Sequence, residues 1–80
     1  MVYLAMEGWL QDSQRYWSVR FHSDPDIVND DARVLVDHGR EMPYGQPALL
    51  LSRRYMRYED AVSLWKHLLR GGWEETNAIW

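Results

Sequence analysis

Three arginines and two tyrosines fall within seven residues, Ser52-Arg53-Arg54-Tyr55-Met56-Arg57-Tyr58, and this stretch concentrates more recognition chemistry than any other in the chain. A guanidinium binds phosphate or carboxylate through two parallel N–H donors, and a phenol ring stacks on a base or on a partner's ring. Arg53, Arg54, Tyr55, Arg57 and Tyr58 are therefore the candidate binding residues, joined by Trp80, the last residue of the sequence. Trp80 either closes the core like a lid or stays exposed, and an exposed tryptophan marks a binding surface. A second reading of the arginines is plainer. They cover an edge strand, pair with the acidic stretch upstream and discourage aggregation.

Other residues with chemical potential do not form recognisable sites. Asp24, Asp26, Asp30 and Asp31 invite a calcium reading, but an EF-hand loop needs oxygens at alternating positions, a glycine in mid-loop and a closing glutamate. His22, His38 and His67 lie in three separate stretches without zinc-site spacing, and there is no cysteine to accompany them. The expected setting of His22 is the polar face of a strand, of His38 a turn and of His67 a helix end. The serines lack a glycine-rich nucleophile elbow, and no glycine loop is present to cradle phosphate. A domain of this size also leaves little room for a concave pocket of roughly 300 Å³ or more. The expectation is a non-enzyme with no catalytic residue, cofactor or metal; catalysis would require His22, His38 and acidic residues to converge.

The elements that must position the candidates follow from hydrophobic periodicity. Trp17, Val19 and Phe21 alternate with Tyr16, Ser18, Arg20 and His22, which is the pattern of a half-buried strand. Trp9-Leu10 precedes it, and the polar Gln11-Asp12-Ser13-Gln14-Arg15 between them predicts a hairpin. Residues 23–31, with four aspartates, an asparagine and Pro25, read as an exposed loop. Arg33-Val34-Leu35-Val36-Asp37 is a third strand ended by His38-Gly39, and Ala48 to Leu51 a fourth, short and buried on both faces. Ala61, Leu64, Trp65 and Leu68 sit at i, i+3, i+4 and i+7, with Val62 and Leu69 widening the stripe, and this spacing predicts an amphipathic helix. Glu59 and Asp60 at its start and Lys66, His67 and Arg70 near its end complement the helix dipole, while Gly71-Gly72 supplies a left-handed cap. Trp73 and Ile79 suggest a last extended segment. Trp17 and Trp65 fit core positions, and Trp9 and Trp73, each after a glycine, are expected at the two ends of the sheet. The fold class is α+β: an antiparallel sheet of about four strands with one amphipathic helix packed on one face.

With 80 residues, the chain has material for a single core, read as one domain over residues 7–80 after a flexible segment of residues 1–6. Without cysteine, no disulfide can staple it, so the five tryptophans and five tyrosines must supply the packing. Cysteine-free composition and the lack of a signal-peptide pattern after Met1 point to the cytoplasm. The longest apolar run, Ala48-Leu49-Leu50-Leu51, is far short of a membrane span. A net charge of −3 weighs against general binding to a phosphate backbone.

Gly8-Trp9-Leu10, Val19-Arg20-Phe21-His22 and Val34-Leu35-Val36-Asp37, followed by Gly39-Arg40, Pro43, Gly45, Pro47, Ser52-Arg53-Arg54, Glu59-Asp60-Ala61, Leu64-Trp65, Leu68, Gly72-Trp73 and Trp80, carry a resemblance. The chain from about Glu7 onward resembles a small domain-of-unknown-function family known mainly from marine picocyanobacteria. Residues 1–6 lie outside the resemblance, and Arg57 stands where a Ser or Thr helix cap is expected, which weakens the helix start or leaves it capped differently. The resemblance implies no activity, cofactor or catalytic residue. By its residues, the chain reads as a small interaction module for a protein partner, a second copy of itself included, through residues 53–58 and Trp80. The alternative is a nucleic-acid-binding regulator using the same arginines and tyrosines.

Overall fold

A computed structural model of the chain describes residues 7–23 and 33–80. The N-terminal segment of residues 1–6 and the acidic loop of residues 24–31, with its calcium reading and its pairing to the arginines, lie outside the described residues. Strand β1 (Gly8–Gln11) turns into β2 (Ser18–Ser23) through a loop that Asp12 organises. Its carboxylate accepts from the Tyr16 amide at 2.7 Å, and its own amide donates to the Trp17 carbonyl at 3.0 Å. The hairpin is the one expected, although Tyr16 and Trp17 fall in the loop before the strand.

Strand β3 (Arg33–Arg40) continues through His38-Gly39 instead of ending there, and β4 (Leu49–Arg57) is much longer than the expected Ala48–Leu51. Helix α1 (Tyr58–Arg70) follows without a connecting loop, and β5 (Glu74–Thr76) closes the series. The sheet is antiparallel throughout, in the order β4-β3-β2-β1-β5. Among the described residues it has five strands, where about four were expected. The fifth is Glu-Glu-Thr, inside the last extended segment that Trp73 and Ile79 suggest; it is polar because it pairs by its backbone at an edge.

Cross-strand register assigns the two faces. Leu10, Val19, His38 and Ser52 form one row, and Gly8, Phe21, Val36 and Arg54 the next, on the face that meets the helix. Leu10, Val19, Phe21, Val34, Val36 and Ala61 are the buried core, with Leu64, Trp65 and Leu68 of the helix packed against it. Burying Phe21 completely contributes roughly 1.5–3 kcal/mol. Val62 is half-buried and Leu69 is exposed, so the apolar stripe is narrower than its sequence pattern suggests. A helix of 13 residues is about 20 Å long, and five strands span about 19 Å. The helix is therefore long enough to carry the chain from the β4 edge to the β5 edge.

Two glycines fix close approaches. A Cβ on Gly8 would sit 2.8 Å from Cη2 of Trp65, so the helix tryptophan lies over bare backbone. A Cβ on Gly39 would overlap the Leu49 carbonyl oxygen, at the point where the β3–β4 register shifts. The helix ends as a Schellman motif: Trp73 N–H donates to the Leu68 carbonyl at 3.0 Å and Gly72 N–H to Leu69 at 3.2 Å. The left-handed residue is Gly72 alone, with φ of 98° against −82° at Gly71. At the other end Arg57 is the N-cap and makes no side-chain cap hydrogen bond, as the substitution for Ser or Thr implies.

The tryptophans depart partly from expectation. Trp65 packs on the core and meets Phe21 edge-on at 5.1 Å, but Trp17, half-buried in the loop before β2, is not part of the core and meets His38 at 5.3 Å. Trp9 and Trp73 do not mark the two ends of the sheet. Trp9 lies in β1 and Trp73 immediately before its neighbour β5, with the Trp73 ring 6.5 Å from that of His38.

Candidate interaction edge

Strand β4 pairs with β3 on one side, and among the described residues no strand pairs with its other side. Its nine residues begin with Leu49, Leu50 and Leu51, which are 43%, 47% and 50% exposed. They were expected to be buried on both faces; their place at a sheet edge reverses that. Leu51 has no partner in the β3 ladder, since Gly39 pairs with Leu50 and His38 with Ser52. This bulge divides the edge into a leucine half and an arginine half.

A strand distributes the candidate residues differently from a loop. Alternation puts Arg53, Tyr55 and Arg57 on the face away from the helix, and Arg54 and Met56 on the helix face. Arg54 lines a small groove with Met56, Leu64 and Trp73. Tyr55 is 65% exposed. Tyr58 is the first residue of the helix and packs on the core, so its ring is turned inward. Trp80 meets Trp9 edge-on at 4.5 Å and is half-buried, neither part of the core cluster nor fully exposed. The six residues do not make one continuous patch.

Arg53 is engaged by Asp37, which lies within β3 and not at its end. Its Nε donates to Oδ1 of Asp37 at 2.7 Å and its Nη2 to Oδ2 at 2.9 Å, while His22 Nε2 lies 2.8 Å from Oδ2. The Asp37 side chain is 1% exposed and that of Arg53 50%. Burial alone would raise the Asp37 carboxyl, but the hydrogen bonds from Arg53 and His22, together with their charges, hold it below the ordinary aspartate value. The same bonds raise the Arg53 guanidinium. Alternation on β2 and β3 was the available signal: Arg20, Asp37 and Arg53 stand directly opposite one another across three strands. Beyond them Arg20 lies over the Trp9 ring, 5.6 Å from its centre. No ion pair among the described residues involves Arg54 or Arg57, and Arg57 stands opposite Arg33.

His22 is on the polar strand face, as expected, and His67 is in the last turn of the helix. His38 is not in a turn. It is a β3 residue on the helix face, so His22 and His38 point to opposite sides of the sheet and do not converge. Among the described residues no group of three His, Cys, Asp or Glu side chains could hold a metal ion. No helix among them is long and apolar enough to cross a membrane. An open cleft of about 760 Å³, lined in part by Arg40, Met42, Tyr44, Ile79 and Trp80, is larger than the size of the domain led us to expect. The cleft opens beside the β3–β4 connection, where Tyr44 is almost fully exposed.

Among the described residues, this arrangement defines a small α+β domain: one antiparallel sheet with one helix on it and an edge strand that no other strand pairs on its outer side. Residues 7–80 match the family described as Protein of unknown function (DUF1651), and the chain belongs to that family. No curated protein and no solved structure matches it.

Proposed function

We propose that this chain is a non-catalytic protein-interaction module of the cytoplasm whose β4 edge receives an extended segment of a partner. The observation that carries the reading is the exposure of Leu49, Leu50 and Leu51 on an outer strand of nine residues. Natural edge strands are usually short, bulged or charged, because an open apolar edge recruits another strand. Here the arginines and the bulge protect one half of the edge and leave the leucines unprotected. Strand addition uses the free backbone groups for affinity and the alternating side chains for selectivity. The lack of cysteine supports a reducing compartment.

The test is recovery of partners from native lysate by the tagged chain and by a Leu49→Lys/Leu51→Lys variant of verified fold, with nuclease as a control. A protein recovered by the parent, resistant to nuclease and lost with the variant is the expected result. Equal recovery by both chains sinks the edge assignment. The nucleic-acid alternative draws on Tyr55, whose exposed ring lies between Arg53 and Arg57 on one face. Against it, Asp37 already neutralises Arg53. Binding to single-stranded probes at low salt that falls steeply as salt rises would favour it.

A further inference from the structure

The partner's chemistry can be read from the edge that receives it, an inference that rests on the strand-addition reading above. Strand β4 divides at Leu51 into an apolar half, Leu49 and Leu50, and a basic half, Ser52 to Arg57, in which Arg54 and Arg57 have no ion pair among the described residues. A second copy of the same strand fits badly. Full-length antiparallel pairing about its centre sets Leu49 against Arg57, Leu51 against Tyr55 and Ser52 against Arg54, so neither Arg54 nor Arg57 meets a carboxylate and the leucines meet no apolar row. The sheet's own acidic edge, Glu74 and Glu75 of β5, is three residues long and cannot cover nine.

We propose that β4 binds an extended acidic segment of a different protein, in antiparallel register, with carboxylates toward the amino end of the segment and aliphatic side chains toward its carboxyl end. Antiparallel pairing is the more stable ladder, and it fixes that order. The carboxylates meet Arg57 and Arg54, and the aliphatic residues meet Leu50 and Leu49. Arg53 contributes through its backbone and is already neutralised by Asp37. Steering by the arginines raises the association rate and makes binding salt-dependent.

Three labelled nonapeptides test this with the full chain. The first is Glu-Val-Thr-Glu-Thr-Thr-Val-Ile-Val, the second has lysine at both glutamate positions, and the third is the first written backwards. Affinity is read by fluorescence anisotropy at low salt, and the binding site by hydrogen exchange of the β4 amides. The first peptide should bind at least about tenfold more tightly than either of the others and slow exchange along β4. An Arg54→Glu/Arg57→Glu variant with the parent's circular dichroism should prefer the lysine peptide. Equal or tighter binding of the lysine peptide at β4 overturns the acidic assignment and leaves strand addition standing. Equal binding of the backward peptide overturns the antiparallel order. If no peptide slows exchange in β4, strand addition falls with the rest.

Discussion

Replacing Asp37 by asparagine probes the linkage that holds the edge strand to the sheet. In the parent, one carboxylate accepts from Arg53 Nε at 2.7 Å, Arg53 Nη2 at 2.9 Å and His22 Nε2 at 2.8 Å. A carboxamide has a single acceptor oxygen, so at least one donor then faces an NH2 group. Breaking a fully buried ion pair costs about 3–5 kcal/mol, but Arg53 is half-exposed and regains water, so about 2 kcal/mol is the appropriate figure. For a domain of this size that lowers Tm by roughly 8–16 °C. The acid limb supplies an independent readout. The folded-state value of Asp37 lies below its unfolded value of about 3.9, so its contribution is fully present above that value and is lost as pH falls through the folded one. Within this window the unfolded chain binds one more proton than the folded chain, and stability falls by at most about 1.4 kcal/mol per pH unit from this group. Urea unfolding of both proteins from pH 7 to pH 2.5 should show the variant less stable at neutral pH, with the two curves converging in acid. A constant gap across the whole range, or an unchanged Tm, would refute the assignment of the stabilisation to the Asp37 carboxylate.

Gly39→Ala should destabilise the protein by about 2 kcal/mol or more, because its Cβ meets backbone at the Leu49 carbonyl and nothing flexible can yield; thermal unfolding decides it. Gly8→Ala should cost about 1–2 kcal/mol, since the obstacle is the Trp65 ring, and the cost should shrink in a Trp65→Leu background; equal cost in both backgrounds would count against the contact. Arg57→Ser should stabilise by about 1 kcal/mol, supplying the missing side-chain cap and removing one of two arginines that face each other across the ladder. Urea midpoints at matched slope measure the difference.

Where side chains alternate between core and solvent, the fold was legible in the sequence. Val19 and Phe21 alternate with the half-buried Arg20 and His22 in β2, and Ala61, Leu64, Trp65 and Leu68 mark the helix that covers that face; β3, where Leu35 and Asp37 are as buried as Val34 and Val36, is marked by its apolar run and not by alternation. Edges were legible only in part. Strand β5, a backbone partner without an apolar side chain, showed only through the flanking Trp73 and Ile79, and β4 mixes three leucines with three arginines because among the described residues no strand pairs with its outer side. For the same reason the arginine-tyrosine cluster read as one patch before a helix. Extended backbone sends successive side chains to opposite faces, and the helix begins one residue after Arg57.

The ion pair of Asp37 was hidden by distance along the chain, and it separates two roles within the arginine cluster. Arg53 lies sixteen residues from Asp37, yet the β3–β4 register sets the two directly opposite each other. Arg53 thus pins the middle of β4 to the sheet, while Arg54 and Arg57, with no ion pair among the described residues, face whatever approaches. An edge held rigid in extended form loses less conformational freedom when a segment docks on it. Arg53→Gln should therefore lower Tm and weaken binding of the acidic nonapeptide, by loosening the strand. Arg54→Gln should leave Tm within a degree or two of the parent and weaken the peptide alone, because it removes a charge that no described carboxylate uses. The comparison needs both readouts on both variants. An Arg53→Gln chain as stable as the parent would show that the pair with Asp37 does not hold the edge, and the division of labour between the two arginines would fall with it.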